Sequence, residues 1–432
     1  MFWFSASMLK KQIHLQLSNW WIALEKTQKN LLSVLVYVAQ NGRARASISH
    51  LLLPYDLVFN LIVFYPFTWT REFGGIKNSS ITHALLRVIQ EWLQAAETPK
   101  ALIRACLIDF SKAFDHIDHN ILTYNILKLQ LLNVPPILLN WCAAFLRNRQ
   151  QRVKIGQDKS KWLPIFAGVP QGTKLGPLFF LVVINDLTTM VPIYKYLNDW
   201  TVFEETSHSS ASSDLQTHLD PLISGLLRII IMRITKKTKE FNICLAKSSP
   251  ILQPLTIDNV PLDCVQSTKP LRISIQSNLK WNLHVGTIYT NASKRLFALR
   301  CLKWNGALPR DLCSVFCCFI RPVVEYACPV WHSSLSNALF DELEQIQKRA
   351  TKIMLPGLSY REQLAHMKLP TLQESRDELC RRFYRTIMRL KTNDVLPPIT
   401  ESVYSFRNAR KIPLHIKCRT KRFQNEFYPL CI

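Results

Sequence analysis

Asp109 closes a near-continuous apolar run, Ala101 to Ile108, interrupted only by Arg104. Such a run reads as a strand buried on both faces. The acid therefore stands where a core strand gives way to a helical pattern, with Ile121, Leu122, Leu129 and Leu132 at three- and four-residue spacing. An acid there either caps the turn or helix behind it or acts as a ligand. A second acid, Asp199, follows Asn198 in the segment Ile193 to Phe203, which reads as two short strands flanking an Asn-Asp turn. Read as a plain hairpin, that segment only turns the chain. If its strands neighbour the Ala101 strand, Asp199 stands beside Asp109, and two acids so placed suit Mg²⁺ and a triphosphate in two-metal phosphoryl transfer.

Three further segments have residue types that such chemistry uses. Gly168-Val-Pro-Gln-Gly-Thr-Lys-Leu-Gly-Pro177 is a glycine- and proline-fixed loop. Its glycines let a ligand approach the backbone, and Gln171 offers both a donor and an acceptor. Pro177 suits a first helical position before Leu178 to Ile184. Upstream, Arg147, Arg149, Gln150, Gln151, Arg152 and Lys154 lead into short strands near Val153 to Ile155 and Trp162 to Phe166. That basic hairpin is either a solvated edge or a track for a phosphate backbone. Lys236-Lys237-Thr238-Lys239-Glu240 forms a basic turn before the apolar Phe241 to Leu245.

The elements that position these residues follow from pattern. Ser79 or Ser80 caps a helix carrying Ala84, Leu85, Val88, Ile89 and Trp92, and Pro99 closes it. Pro135-Pro136 starts a helix over Ile137 to Leu146, and Ser212 or Ser213 starts one running towards Met232. Helical patterns then recur over His284 to Lys303, Leu312 to Tyr326 and Asn337 to Leu355, the last stopping at Pro356-Gly357.

Composition narrows the class of partner. Lys and Arg number 54 against 30 acids, a formal charge of +24 spread along 432 residues. Such an excess repels itself unless it meets a polyanion, most often nucleic acid. Eleven Trp, 12 Tyr and 22 Phe offer surfaces on which bases can stack. The 12 Cys form no CxxC pair, which fits a reducing compartment. Lys10 and Lys11 follow the first apolar residues instead of preceding them, so the chain is expected to be intracellular, in nucleus or cytoplasm, and not secreted. Ile48 to Phe67 is long and apolar, but His50, Pro54, Asp56, Asn60 and Pro66 interrupt it. A central Asp alone costs about 2.5–3.5 kcal/mol on insertion, so no stable membrane insertion is expected.

Taken in order, REFGGIKNSSITHAL, LIDFSKAFDHIDHNIL, GVPQGTKLGPLFF, YKYLND and KKTKE, continued by LKWNLHV and VEYACPVWHSSL, resemble the reverse transcriptases of non-long-terminal-repeat retrotransposons of the LINE or jockey type. The resemblance covers about Arg71 to Pro356. It implies an α/β (α+β) fold, a right-hand polymerase palm of antiparallel sheet and helices followed by an α-helical thumb. The segments divide as 1–70 unassigned, 71–100 a remnant of the fingers, 101–265 palm, 266–356 thumb and 357–432 a basic tail.

The resemblance also implies roles. Asp109 and Asp199 would be metal-binding carboxylates for two Mg²⁺ ions. Phe114 would gate the ribose 2′-OH, Gln171 and Gly172 would border the incoming nucleotide, and Lys237 or Lys239 would approach the triphosphate. Arg149, Arg152, Lys154, Arg272 and Trp281 are expected on nucleic acid, with an RNA template, a DNA primer and deoxynucleoside triphosphates as partners. Asn198 stands where the family has a catalytic Asp, so a full negative charge is missing and weak or absent catalysis is expected. Arg272 stands where the family has a Gly at the primer-gripping turn. Residues 1–70 do not resemble the finger segments that normally precede REFGG, and no upstream endonuclease domain or Cys/His zinc knuckle is recognisable, as expected for a degenerate or truncated copy. The alternative reading is a nucleic-acid-binding protein that keeps the hand without its chemistry.

Overall fold

The apolar strand of the sequence, β1 (Ala101–Asp109), is buried along nearly its whole length because it occupies the centre of a sheet. Its companions are β2 (Ile193–Tyr196), β3 (Asp199–Ser207), β4 (Lys239–Cys244) and β5 (Cys264–Val265), in the order β5-β4-β1-β3-β2. A strand with neighbours on both edges and elements over both faces has no solvated side, which is why it does not alternate apolar with polar. β1 runs antiparallel to β3 and to β4, and β2 and β3 form an antiparallel hairpin. The expected antiparallel sheet is therefore present, with β5 added parallel to β4 at one edge. At the other edge, Glu72 bridges in parallel to Lys195 of β2.

This computed structural model describes residues 71–76, 78–110, 113–128, 134–169, 173, 175–207, 213–229, 237–245 and 252–390. The unassigned segment 1–70, with its apolar stretch Ile48 to Phe67, lies outside them, as do Gln171, Gly172 and the tail beyond 390.

Helix α1 (Ile81–Ala95) begins at Ser80, whose Oγ accepts from the His83 N–H. Its apolar stripe covers the sheet face that carries Ile103, Ala105 and Leu107. Trp92 is fully buried there, with its ring centroid 5.7 Å from that of Phe241 and 6.2 Å from that of Phe203. Three further helices follow β1, α2 (His119–Lys128), α3 (Pro136–Leu146) and α4 (Leu175–Ile184). α4 is buried all round and joins α3 through Phe179 and Phe145. α5 (Leu215–Ile229) lies between β3 and β4 in the chain and contains Pro221 without ending there.

The C-terminal half is helical: α6 (Asn282–Trp304), α7 (Pro309–Val315), α8 (Arg321–Glu325), α9 (Asn337–Met354), α10 (Tyr360–Met367) and α11 (Leu372–Leu390). The single helix expected over Leu312 to Tyr326 is instead α7 and α8 joined by a π turn at Phe316–Ile320. The reason lies in the spacing. Leu312, Phe316, Ile320 and Val324 recur strictly every four residues and all are fully buried, which a 3.6-residue helix cannot keep in line without a locally wider turn. The stretch Pro309–Val330 is long and apolar enough to cross a membrane, but this stripe packs into the helical core. The helices also continue beyond Pro356. A capping box at Ser359 and Glu362 starts α10, and Leu372 and Ile387 of α11 are buried in the same core.

Candidate active site

The β1–β3 register places Asp109 directly opposite Asp199. Opposed residues on antiparallel strands project from one face with Cβ atoms about 4.5–5.5 Å apart, so the two carboxylates share a location. By the two-residue period of β1, that face is the one of Leu107 and Ala105. The acids open onto a cleft of about 230 Å³ whose lining includes Tyr196, Lys237, Lys239, Lys269 and Leu271. Lys237 Nζ lies 3.5 Å from Asp109 Oδ2, and both side chains remain accessible to solvent. Lys239 is turned to Asp263, 2.6 Å away. Of the two lysines expected at the triphosphate, Lys237 is therefore the one at the acids.

Burial pushes the Asp199 carboxyl up to about 6, and the charge of Asp109 adds to this while Lys237 opposes it. In the folded chain Asp199 thus binds its proton at a higher pH than at its ordinary value of 3.8. Its contribution to stability is full below that ordinary value and is lost as pH rises through about 6. Asp199→Asn is expected to be more stable than the native chain at pH 7.5, with the difference closing by pH 4 in urea denaturation. A variant no more stable than the native chain at pH 7.5 would contradict this electrostatic picture.

The turn that presents Asp199 is held from outside the hairpin. Leu197 has φ +53°, a conformation that costs a non-glycine residue roughly 1–2 kcal/mol. Its N–H donates to Glu72 Oε1 at 3.2 Å, and its carbonyl accepts from Trp200 Nε1 at 2.6 Å. The Asn198 carbonyl accepts from the Phe110 N–H at 3.1 Å, tying the turn to the end of β1. Glu72 Oε1 also accepts from the Gly74 N–H. Gly74 lies so close that a Cβ would come within 2.6 Å of Leu197 Cγ. Burial raises the Glu72 carboxyl to about 7 and lowers the Lys195 amine to about 8. Glu72 is a positioning residue that the sequence reading missed. The available signal was an acid followed closely by two glycines in Arg71-Glu-Phe-Gly-Gly.

The glycine-rich loop is tied to the same end of β1. The Gly168 N–H donates to the Ile117 carbonyl at 2.8 Å and the Val169 N–H to the Phe114 carbonyl at 2.7 Å. Gly168 has φ +84°, and a Cβ there would lie 2.7 Å from the Asp115 carbonyl oxygen. Phe114 packs its ring 4.9 Å from that of Phe180 in α4. Trp281 is 4% exposed and packs in the core, so its ring offers no face to a base. This corrects the expectation that it binds nucleic acid, because Trp281 stands at the start of α6 facing the buried His284 and not on a surface.

At the turn Lys269-Pro270-Leu271-Arg272, Leu271 has φ +47° and Arg272 φ +68°. The left-handed backbone persists without glycine, held by the Ile273 N–H to the Pro270 carbonyl (2.9 Å) and by Tyr326 Oη donating to the Leu271 carbonyl (3.0 Å). Arg272→Gly is expected to stabilise the chain by about 0.5–1 kcal/mol, the relieved strain exceeding the added freedom of the unfolded state. Arg272→Ala should give no such gain. A lower urea midpoint for Arg272→Gly would show that the arginine side chain itself holds the turn.

Residues 70–255 match the profile of the family described as "Reverse transcriptase (RNA-dependent DNA polymerase)". Over those residues the chain matches reverse transcriptases, and its antiparallel sheet with helices, followed by a helical region, is a palm-and-thumb type of α/β arrangement. The chain is 24% identical over 294 residues to the probable RNA-directed DNA polymerase from transposon BS of Drosophila melanogaster, covering 65% of this chain and 32% of that protein. It is 32% identical over 160 residues to the RNA-directed DNA polymerase from mobile element jockey of the same fly, covering 34% of this chain and 17% of that protein. The chain thus spans a third or less of these relatives' length. A telomerase structure from Candida tropicalis, in complex with a TWJ fragment of telomeric RNA, aligns with a TM-score of 0.40 and 12% identity over 84% of this chain and 56% of that one.

Proposed function

We propose that the cleft at Asp109 and Asp199 is a site of template-directed nucleotidyl transfer. It would extend a DNA primer on an RNA template with deoxynucleoside triphosphates, and would do so slowly or not at all because Asn198 replaces a carboxylate. The observation that carries this reading is the in-register pair Asp109 and Asp199, with Lys237 3.5 Å from the first. The pair fits a hard cation. Two opposed carboxylates, one with its carboxyl pushed up by burial and by the other's charge, form a donor set that a positive ion relieves. Asp109 and Asp199 are the residues that would hold Mg²⁺, which when bound neutralises charge gathered on the triphosphate.

The remaining roles follow from position. Lys237, exposed at the mouth, meets phosphate charge once it leaves Asp109. Phe114 stands in the turn behind Asp109, and Gln171 and Gly172, by their place in the Gly168–Pro177 sequence, would border the incoming nucleotide. Arg149, Arg152 and Lys154 lie on the basic hairpin, where they would meet phosphates, and Arg272 sits at the strained turn beside the cleft.

The test is primer extension on an RNA template with Mg²⁺, using Asp109→Ala as the inactive control. Slow, Asp109-dependent incorporation supports the reading. Measurable synthesis by the native chain that Asp109→Ala matches overturns it.

A further inference from the structure

The segment 147–166, which leads into the Gly168 loop, forms a two-part ladder. Gln150–Gln151 pairs with Leu163–Pro164, and Lys154–Ile155 pairs with Asp158–Lys159. Its sequence has six cations and one acid. Among the described residues, no carboxylate lies within ion-pair distance of Arg152, Lys154 or Lys161. The arm also exposes what a soluble hairpin normally hides: Trp162 is 55% exposed and Phe166 76%. The Arg152 guanidinium lies 4.5 Å over the Trp162 ring, making a flat cationic and aromatic platform.

The arm is rooted at the acids' end of the sheet. The His119 N–H donates to the Phe166 carbonyl at 3.2 Å, and Asp118 bridges antiparallel to Ala167. These contacts fall within ten residues of Asp109. Cations alone would suit any polyanion, but exposed rings interleaved with cations suit a strand whose bases are unpaired. A duplex keeps its base faces stacked inside and presents only phosphates, sugars and base edges, leaving exposed rings nothing to stack on. In a polymerase that copies RNA, the strand still unpaired is the template.

Resting on the function proposed above, we infer that the arm 147–166 is a docking surface for unpaired template RNA, with Trp162 and Phe166 as its stacking residues.

The test measures binding by the full chain of a fluorescent 20-nucleotide oligouridylate and of a blunt RNA–DNA hybrid of the same length. The double variant Trp162→Ala/Phe166→Ala is compared with the native chain, with thermal melting as a check on folding. Both side chains are exposed, so the variant is expected to melt with the native chain. The expected result is a roughly tenfold or greater loss for the oligouridylate, as stacking energies per base imply, with hybrid binding within twofold. A second measurement photocrosslinks 5-iodouridine RNA to the native chain, and crosslinks at Trp162 or Phe166 support the inference even if the variant misfolds. Unchanged oligouridylate binding together with crosslinks elsewhere overturns it. An equal loss for a polyglutamate peptide also overturns it, marking a surface for acidic protein instead. If the native chain binds neither RNA nor hybrid, the proposed function fails as well, which separates the two outcomes.

Discussion

Replacing Asn198 by Asp raises primer extension at saturating Mg²⁺ by at least about a hundredfold, the scale on which a single electrostatic group at a reacting centre acts. The substitution is nearly isosteric, and the turn is held through its backbone by Phe110, Glu72 and Trp200, so the gain isolates the added charge. A second consequence has the opposite sign. Without Mg²⁺ a third acid beside Asp199, whose carboxyl is already pushed up to about 6, adds repulsion, so the variant melts lower than the native chain. Adding Mg²⁺ restores more stability to the variant than to the native chain, because an ion that binds only the folded state stabilises it by mass action. Extension assays and thermal melts across a Mg²⁺ titration read both effects. A native chain that already extends primers as well as Asn198→Asp would show that Asn198 limits nothing. Loss of extension in both, with RNA binding kept, would establish a binding protein without polymerase chemistry.

Where physical pattern was local, the sequence was legible. The period of α1 with its start at Ser79 or Ser80, the helix start at Pro135-Pro136, and the stripe on α9 follow from local pattern, and the structure has a helix capped by Ser80, one beginning at Pro136 and the α9 stripe. Asp109 at the end of an apolar run pointed to a central strand, because only a strand covered on every side has no polar positions. The pairing of Asp109 with Asp199 needed the register between segments 90 residues apart, which the family's order of motifs implied and periodicity could not. Trp281 shows the limit of reading residue type: a tryptophan near basic residues has the same letter whether it stacks on a base or fills a core. The left-handed backbone at Arg272 was signalled only by the family's Gly at that turn, and that at Leu271 by nothing local, since tertiary contacts impose it against local preference. Glu72 escaped because its function lies in one hydrogen bond to a turn 125 residues away.

Arg104, the one interruption of the β1 run, marks where the largest loss of stability is expected. Its side chain is 4% exposed and donates to Glu240 Oε1 at 2.9 Å, to Ser213 Oγ at 2.8 Å and to the Gln253 carbonyl. Glu240 accepts in turn from the Leu255 N–H at 2.8 Å. Glu240→Ala therefore strands a buried guanidinium and a buried amide together, and is expected to cost about 3–5 kcal/mol in urea denaturation. The double variant Arg104→Leu/Glu240→Leu should cost far less than the sum of the two single losses, because no unpaired charge is left behind. The consequence reaches the cleft, since β1 and β4 between them set Asp109 beside Lys237. A Glu240→Ala loss under about 1 kcal/mol would mean that Arg104 finds water or a new acceptor. A double variant as damaged as the sum would mean that the pair acts through packing. Either result would remove charge burial as the reason these residues are placed together on strands joined 136 residues apart.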